Sequence, residues 1–454
     1  MAPILEGIHG KGAMSTVDAS AATRVWKNPY FAVALVVLLA AVMPFCTRLH
    51  SEWDDVYVRA AIDLQAGRDV YRQNYGYTYP PFQMLLALPF TALPHLGVRI
   101  GWFAVNAFCL AWMVTSAWAI AGGGRFRDAA TWPWSEHAIF VLGLGCGVWY
   151  SFHALAHQQT DIVMAALFLG GCRWLQTGHA CRGAILFGLA TAMKCTPLLL
   201  APYLVLRRRF LAAALVVAVA LGVNLLPELV QSSPSGSTWL AEWFRLFLQP
   251  MADRNHAPGA WHSDPLYNQS LAGAFSRWTQ TEWNWTANGL VIGVTSTPLE
   301  ALRWKPALYG VQLVLAAAAG LVFCRRFRLH PERDASDAQW AGYEYGVVAI
   351  LMLMYSPMSS IPHFATLILP GFCLARQAVV RRDRAAAVVV ALASVCAALS
   401  NKDLQGGSLY TLGLWHGVVM LNALVLLAGL LTTLARWPAR KRESQTEAPR
   451  LRAA

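Results

Sequence analysis

Long apolar blocks separated by short basic clusters constrain this chain more than any other feature. Tyr30–Cys46, Gly101–Ile120, Leu211–Leu226, Pro306–Cys324 and Leu412–Leu434 each approach the length that a bilayer's hydrocarbon core demands of a helix. Inside lipid every backbone amide must find its partner within its own segment, so these blocks predict helices. A barrel would need roughly ten-residue segments alternating apolar with polar, a pattern this sequence lacks. Charged residues make up 13% of the 454 positions and hydrophobic ones 56%, whereas a soluble domain carries about 25% charged residues. A chain this poor in charge cannot cover itself in water. It is predicted to be an all-α integral membrane protein, with about 12 segments that cross the bilayer or dip into it.

The net charge of +12 raises nucleic acid as a partner, and its distribution argues against that. The excess sits in clusters between apolar blocks: Arg24/Lys27, Arg207–Arg209, Arg325/Arg326/Arg328, Arg381/Arg382/Arg384 and Arg436/Arg440/Lys441/Arg442. Such spacing marks cytoplasmic loops by the positive-inside rule and points to membrane lipids as the surroundings. Residues 1–29 are expected to be a cytoplasmic segment, 30–435 the polytopic domain and 436–454 a basic cytoplasmic tail. No small-residue cleavage site follows Tyr30–Cys46, which is expected to be a retained first helix. Between His95 and Arg182 the rule conflicts with itself, since strict alternation puts either Arg125/Arg127 or Arg173/Arg182 outside. The short segment Pro81–Leu93, which contains Pro89, is expected to cross or only to dip. The cysteines (Cys109, Cys146, Cys172, Cys324, Cys373 and Cys396 among them) lie mostly in apolar blocks without metal-like spacing, so they are expected to be small buried hydrophobes.

Two outward stretches carry more than connector chemistry. The first outer loop, 47–80, holds Glu52, Asp54, Asp55, Asp63 and Asp69 against Arg48, Arg59, Arg68 and Arg72. Within it Val56, Ala60 and Leu64 recur at helical spacing, suiting an amphipathic helix on the membrane surface. The stretch 231–304 carries Trp239, Trp243, Trp261, Trp278, Trp283, Trp285 and Trp304. Tryptophan favours the headgroup level, so this loop is expected against the outer leaflet.

Candidate chemistry lies in three motifs. In Ser51-Glu52-Trp53-Asp54-Asp55-Val56-Tyr57, a carboxylate beside the membrane can take a proton from a sugar hydroxyl. The same Ser51/Asp54 spacing reads equally as a helix capping box. Tyr77-Thr78-Tyr79-Pro80-Pro81 sets the start of a helix with interfacial tyrosines. In Met193-Lys194-Cys195-Thr196-Pro197, a lysine interrupts the apolar run Gly183–Leu206. Pro197 suggests two short helices meeting at Lys194, placed either for a lipid phosphate or to snorkel toward water. Weaker signals are His153/His157 with Gln158, Gln159 and Asp161, then Asn268-Gln269-Ser270, then Ser356–His363. No P-loop is present, which argues against an ATP-driven pump.

Taken in order, these motifs resemble glycosyltransferase family 87, a branch of the C-type membrane glycosyltransferases. That family includes polyprenol-phosphate-mannose-dependent mannosyltransferases and arabinofuranosyltransferases of actinobacterial envelopes. The resemblance is carried by Asp54-Asp55-Val56-Tyr57, Ala60-Ala61, Gly67, Tyr71 and Tyr79-Pro80-Pro81. The family's Gly-Gln-x-Asn element reads here Gln158-Gln159-Thr160-Asp161. Lys194 with Pro197, Asn268-Gln269-Ser270 with Arg277, and Ser356-Pro357-x-Ser359 with His363 follow. The resemblance implies a C-type fold and an inverting enzyme working on a polyprenyl-phosphate-linked sugar, most often mannose, and a lipid or glycan acceptor. It implies Asp54 or Asp55 as general base and Lys194 and His363 at the donor phosphate. Tyr79, Gln159, Asp161, Asn268, Gln269 and Arg277 are implied in substrate binding, with no metal and no cofactor. The site would face the periplasm or cell exterior from the inner membrane. A transporter or lipid flippase is the rival class, and it accounts less well for the acidic first loop.

Overall fold

The computed structural model describes residues 29–73, 76–252, 266–279, 282–287, 290–295, 301–327 and 335–436. The N-terminal segment before residue 29, Trp261, Arg328 and the tail after Arg436 lie outside the described residues.

Helix α1 (Pro29–Thr47) is held to the rest of the molecule near its two ends. Tyr30 Oη pairs with His137 Nδ1 at 2.6 Å, and Phe45 is buried, while Val33, Val36, Leu39 and Met43 between them are exposed. That is the surface expected where lipid is the solvent. The 47–80 loop forms a π-helical turn, Trp53–Val58, running into α2 (Arg59–Gln65). Its apolar face is not spread on a membrane surface as anticipated: Trp53, Tyr57, Ala60, Ala61 and Leu64 are all fully enclosed by protein. Trp53 stacks on Trp102 with centroids 3.5 Å apart. Phe82–Ala92, made of α3 (Phe82–Ala87) and a 3-10 turn, is too short to span.

The long α4 (His95–Ile120) leads to the bent pair α5 (Trp134–Gly145) and α6 (Val148–His157), which meet at 50°. Then come α7 (Asp161–Gln176), α8 (Ala180–Met193), α9 (Leu200–Leu206) and α10 (Phe210–Leu225). The 231–304 stretch holds α11 (Trp239–Trp243), α12 (Gln249–Ala252) and α13 (Leu271–Thr279). An antiparallel hairpin follows, β1 (Glu282–Ala287) on β2 (Leu290–Thr295), with Trp283 opposite Val294. The all-α expectation holds for the rest of the described residues, this one hairpin being the exception. Two runs favourable to strands on either side of Asn288-Gly289 were its sequence signal. The chain closes with α14 (Ala301–Phe327), α15 (Ala335–Tyr355), α16 (Ile368–Val380), α17 (Arg384–Leu399), α18 (Lys402–Trp415) and α19 (Val418–Arg436).

Among the described residues six helices are long and apolar enough to cross a membrane, or up to eight if each bent pair is one span. The protein is therefore a multi-pass membrane protein built almost wholly of helices. Helices in lipid gain little from hydrophobic contrast and pack through small residues. Gly143 of α5 and Gly371 of α16 show this: a Cβ on Gly371 would sit 2.5 Å from the Gly143 carbonyl oxygen.

Hydrogen bonds sort the helix ends into two groups. At one end Gln176 donates to the carbonyls of Ile120 and Ala338, and Arg209 to that of Leu175. Arg207 pairs with Glu344, and Arg376 clasps Glu136 with two bonds of 2.7 and 2.8 Å. At the other end Gln83 donates to the Met193 carbonyl, Asn224 accepts from the Phe82 amide, and Trp243 donates to the Thr78 carbonyl. The conflict over Arg125/Arg127 and Arg173/Arg182 disappears, because the chain turns back between α8 and α9, which brings Arg209 to the Leu175 carbonyl. The chain rises through α8 (14 residues, about 21 Å at 1.5 Å each), turns at Lys194 and returns to Arg207. All these basic clusters then share one end of the bundle.

Candidate active site

At the opposite end a cavity of about 1350 Å³ opens between the 47–80 loop, α6, the Lys194 turn and the Ser356–His363 turn. Pro197 lies in the 3-10 turn Thr196–Leu199, cannot continue α8, and leaves Lys194 extended at the apex. Asp161 begins α7 from the neighbouring wall. His363 stands in the 3-10 helix Ile361–Leu367, which follows Ser360 and carries Pro362 in its first turn. These three side chains meet. Lys194 Nζ donates to Asp161 Oδ1 at 2.7 Å and to His363 Nε2 at 3.1 Å. An ammonium has only donors, so His363 accepts through Nε2, and its Nδ1–H donates to Ser360 Oγ at 2.9 Å. Asp161 is fully buried and Lys194 is 6% exposed. Lys194 also lies 5.5 Å from the centre of the Tyr79 ring, which lines the cavity too.

The acidic side chain of the first loop that lines this cavity is Glu52. Its Oε1 accepts from Gln159 Nε2 at 2.6 Å. Burial pushes the Glu52 carboxyl above the usual carboxylate range, against the pull of the Gln159 hydrogen bond and of Lys194. The π turn that follows fits one residue more than an α turn, and thereby sets the register of the loop. Asp54 is directed away, to Arg99 Nε at 2.5 Å and His95 Nε2 at 3.3 Å. Asp55 accepts from the Ser51 amide at 3.1 Å and its side chain is 58% exposed. Neither aspartate is among the cavity-lining residues, whereas Glu52 is. Asp54 serves as counterion to Arg99, whose side chain is only 2% exposed.

Gln158 fixes this arrangement. Its backbone is left-handed (φ 57°), a region that favours glycine. Its side chain compensates by accepting from Ser51 Oγ at 2.6 Å and donating to the Phe45 carbonyl at 2.7 Å. The loop is thus welded to the α6–α7 junction, and the next residue, Gln159, is presented to Glu52.

Of the remaining expected residues, Asn268, Gln269 and Arg277 do not line the cavity. Asn268 donates to the Pro357 carbonyl and accepts from the Ser359 amide. Gln269 bonds the carbonyls of Leu266 and Leu414, and Arg277 bonds that of Trp415. They tie the 231–304 stretch to the Ser356–His363 turn and to α18, with their polar groups directed at backbone. Arg48, Trp149 and the stacked pair His153/His157 (centroids 4.4 Å apart) complete the wall and were not among the expected site residues. His153 and His157 are four apart on one helix face, a spacing that could have drawn them in. Among the described residues no group of three or more His, Cys, Asp or Glu side chains is placed to hold a metal ion.

A carboxylate held in raised protonation balance, a lysine and a neutral histidine facing one enclosed space can take up a proton and steady an anion. The profile of glycosyltransferase family 87 matches residues 77–357, which include Lys194. A polyprenol-phosphate-mannose-dependent alpha-(1-2)-phosphatidylinositol pentamannoside mannosyltransferase of Mycolicibacterium smegmatis is 24% identical over 300 residues, covering 63% of this chain and 62% of that protein. An alpha-(1->3)-arabinofuranosyltransferase of Mycobacterium tuberculosis is 28% identical over 206 residues, covering 43% and 46% respectively. The chain thus matches less than two thirds of the length of either relative. No solved structure matches it. On the family profile, which spans more than half of its residues, the chain belongs to glycosyltransferase family 87.

Proposed function

We propose that this glycosyltransferase moves a sugar, mannose in the first instance, from a polyprenyl-phosphate donor to a hydroxyl of a lipid-linked or glycan acceptor, with inversion. The observation that carries the reading is the convergence of Glu52, Lys194 and His363 on one cavity. The acceptor hydroxyl gives its proton to Glu52 while its oxygen attacks the anomeric carbon. The bond from that carbon to the phosphate oxygen breaks, and the electron pair leaves with polyprenyl phosphate. Lys194 steadies the departing phosphate, with His363 beside it. The donor arrives activated, so the step calls for no nucleotide and no metal. The basic clusters at the far end favour a cytoplasmic position for that end, with the cavity opening outward from the inner membrane. A C-type architecture, with about a dozen segments that cross or dip, belongs to the same proposal.

The arabinofuranosyltransferase relative favours a second reading, in which the sugar is arabinofuranose. Membranes containing and lacking the protein, supplied with radiolabelled polyprenyl-phosphate mannose or polyprenyl-phosphate arabinofuranose, separate the two. Protein-dependent label from the mannose donor in extractable lipid or glycan is expected. Label from arabinofuranose alone would select the second reading, and label from neither would overturn both.

A further inference from the structure

We propose that Asp161 is the specificity-determining residue that restricts the donor to a single phosphate and excludes a diphosphate. The inference rests on the functional reading above. It starts from the charges that face the cavity. Arg48, Glu52, Lys194, Lys402 and Asp403 line it, and together they sum to one positive charge. Asp161, bonded to Lys194 from behind and fully buried, brings the total to zero. His363 accepts a hydrogen bond from the Lys194 ammonium and is therefore neutral in this arrangement.

Lys194 has three N–H groups. One is given to Asp161 and one to His363, which leaves one for a ligand. That is enough to hold one oxygen of a phosphodiester, whose single charge meets a neutral site. A diphosphate brings a second charge into the same space, and Asp161 has already cancelled the cation that would receive it. A unit charge about 7 Å from a carboxylate, at an effective dielectric near 20, is disfavoured by a factor of about 50. The carboxylate is held in place: Asp161 sits on the first turn of α7, fully buried, with its Oδ1 bonded to Lys194 at 2.7 Å. Asp161 thus orients Lys194 and caps the charge that the site accepts.

The test is the ratio of inhibition constants for polyprenyl methyl phosphate, a phosphodiester of one charge, and polyprenyl methyl diphosphate, of two, measured on purified wild type, Asp161→Asn and Asp161→Glu. Wild type and Asp161→Glu should prefer the monophosphate. Asp161→Asn should lose at least tenfold of that preference through tighter binding of the diphosphate. Asp161→Ser gives the same reading should the Asn variant not fold. A loss of packing alone weakens both lipids together and leaves the ratio where it was. An unchanged ratio in the neutral variant, with binding intact, overturns this inference and leaves the functional reading standing. A wild-type protein that binds neither lipid overturns both.

Discussion

Replacing Glu52 by Gln separates chemistry from folding at this site. The amide keeps the size of the carboxylate and can still accept the 2.6 Å hydrogen bond from Gln159 through its oxygen. What it loses is the ability to take a proton. Removing a general base reduces turnover by about 10²–10⁴-fold, equivalent to roughly 3–5.5 kcal/mol of transition-state stabilisation. Stability should move the other way. Burial raises the Glu52 carboxyl above its ordinary value, so the native state binds its proton more tightly than the unfolded chain does. Between the ordinary and the raised value the folded protein carries more proton, and stability falls as pH rises through that window. Above that window the wild type buries a charge that Gln does not carry. The variant should melt at the same temperature as wild type or higher, and the difference should vanish at pH below the carboxylate range. Transfer needs the ionised form, so the acid limb of the wild-type kcat/KM profile should lie above the usual carboxylate range. Single-turnover transfer from labelled donor, beside thermal melting across pH, measures all of this. Near wild-type turnover in Glu52→Gln would refute the reasoning. So would a collapse in Asp54→Asn with melting intact.

Three further outcomes follow from the geometry. Asp54→Asn leaves the buried Arg99 guanidinium without its counterion and should cost on the order of 3–5 kcal/mol of stability, read as a lowered melting temperature before any loss of rate per folded molecule. Lys194→Ala should weaken binding of polyprenyl phosphate by about 10–150-fold, the worth of a charged hydrogen bond of roughly 1.5–3 kcal/mol, and should lower melting because Asp161 is left buried and unpaired, with Lys194→Arg recovering part of the affinity. Gly371→Ala drives a methyl against the Gly143 carbonyl at 2.5 Å and should destabilise the α5–α16 crossing by about 1–3 kcal/mol, read by melting in detergent, with the activity of the folded fraction retained.

Much of the fold is legible from hydropathy because lipid leaves a buried backbone few choices. What hydropathy cannot read is where an apolar run turns back. Gly183–Leu206 reads as one block, yet Pro197 divides it into two helices between which the chain turns back, with Lys194 at the apex. Once that is known, the conflict among the basic clusters resolves. Leu412–Leu434 likewise reads as one helix, while Gly417 in the left-handed region (φ 76°) separates α18 from α19. At the site, the meeting of Lys194 with His363 follows the order of motifs in the sequence. Three acids, Glu52, Asp54 and Asp55, stand within four residues, and the sequence alone does not say which of them faces the cavity. Asn268 and Arg277 are implied in substrate binding by the resemblance, and the fold also places each against a backbone carbonyl, that of Pro357 and that of Trp415. A sequence shows the donors and acceptors, not which of them are already taken.

The central claim is that a bond to the sugar is broken in this cavity and that the lipid phosphate stays behind. It is tested most directly with a polyprenyl-phosphate mannose carrying tritium in the sugar and ³²P in the phosphate, given to the purified protein in lipid vesicles with an acceptor extract. The account predicts that tritium appears in the acceptor fraction while ³²P remains on the prenol, in equal amounts, and that Glu52→Gln stops both. If the two labels travel together, or cross the membrane with the donor intact, the protein transports or transfers the whole phosphosugar and the account is contradicted.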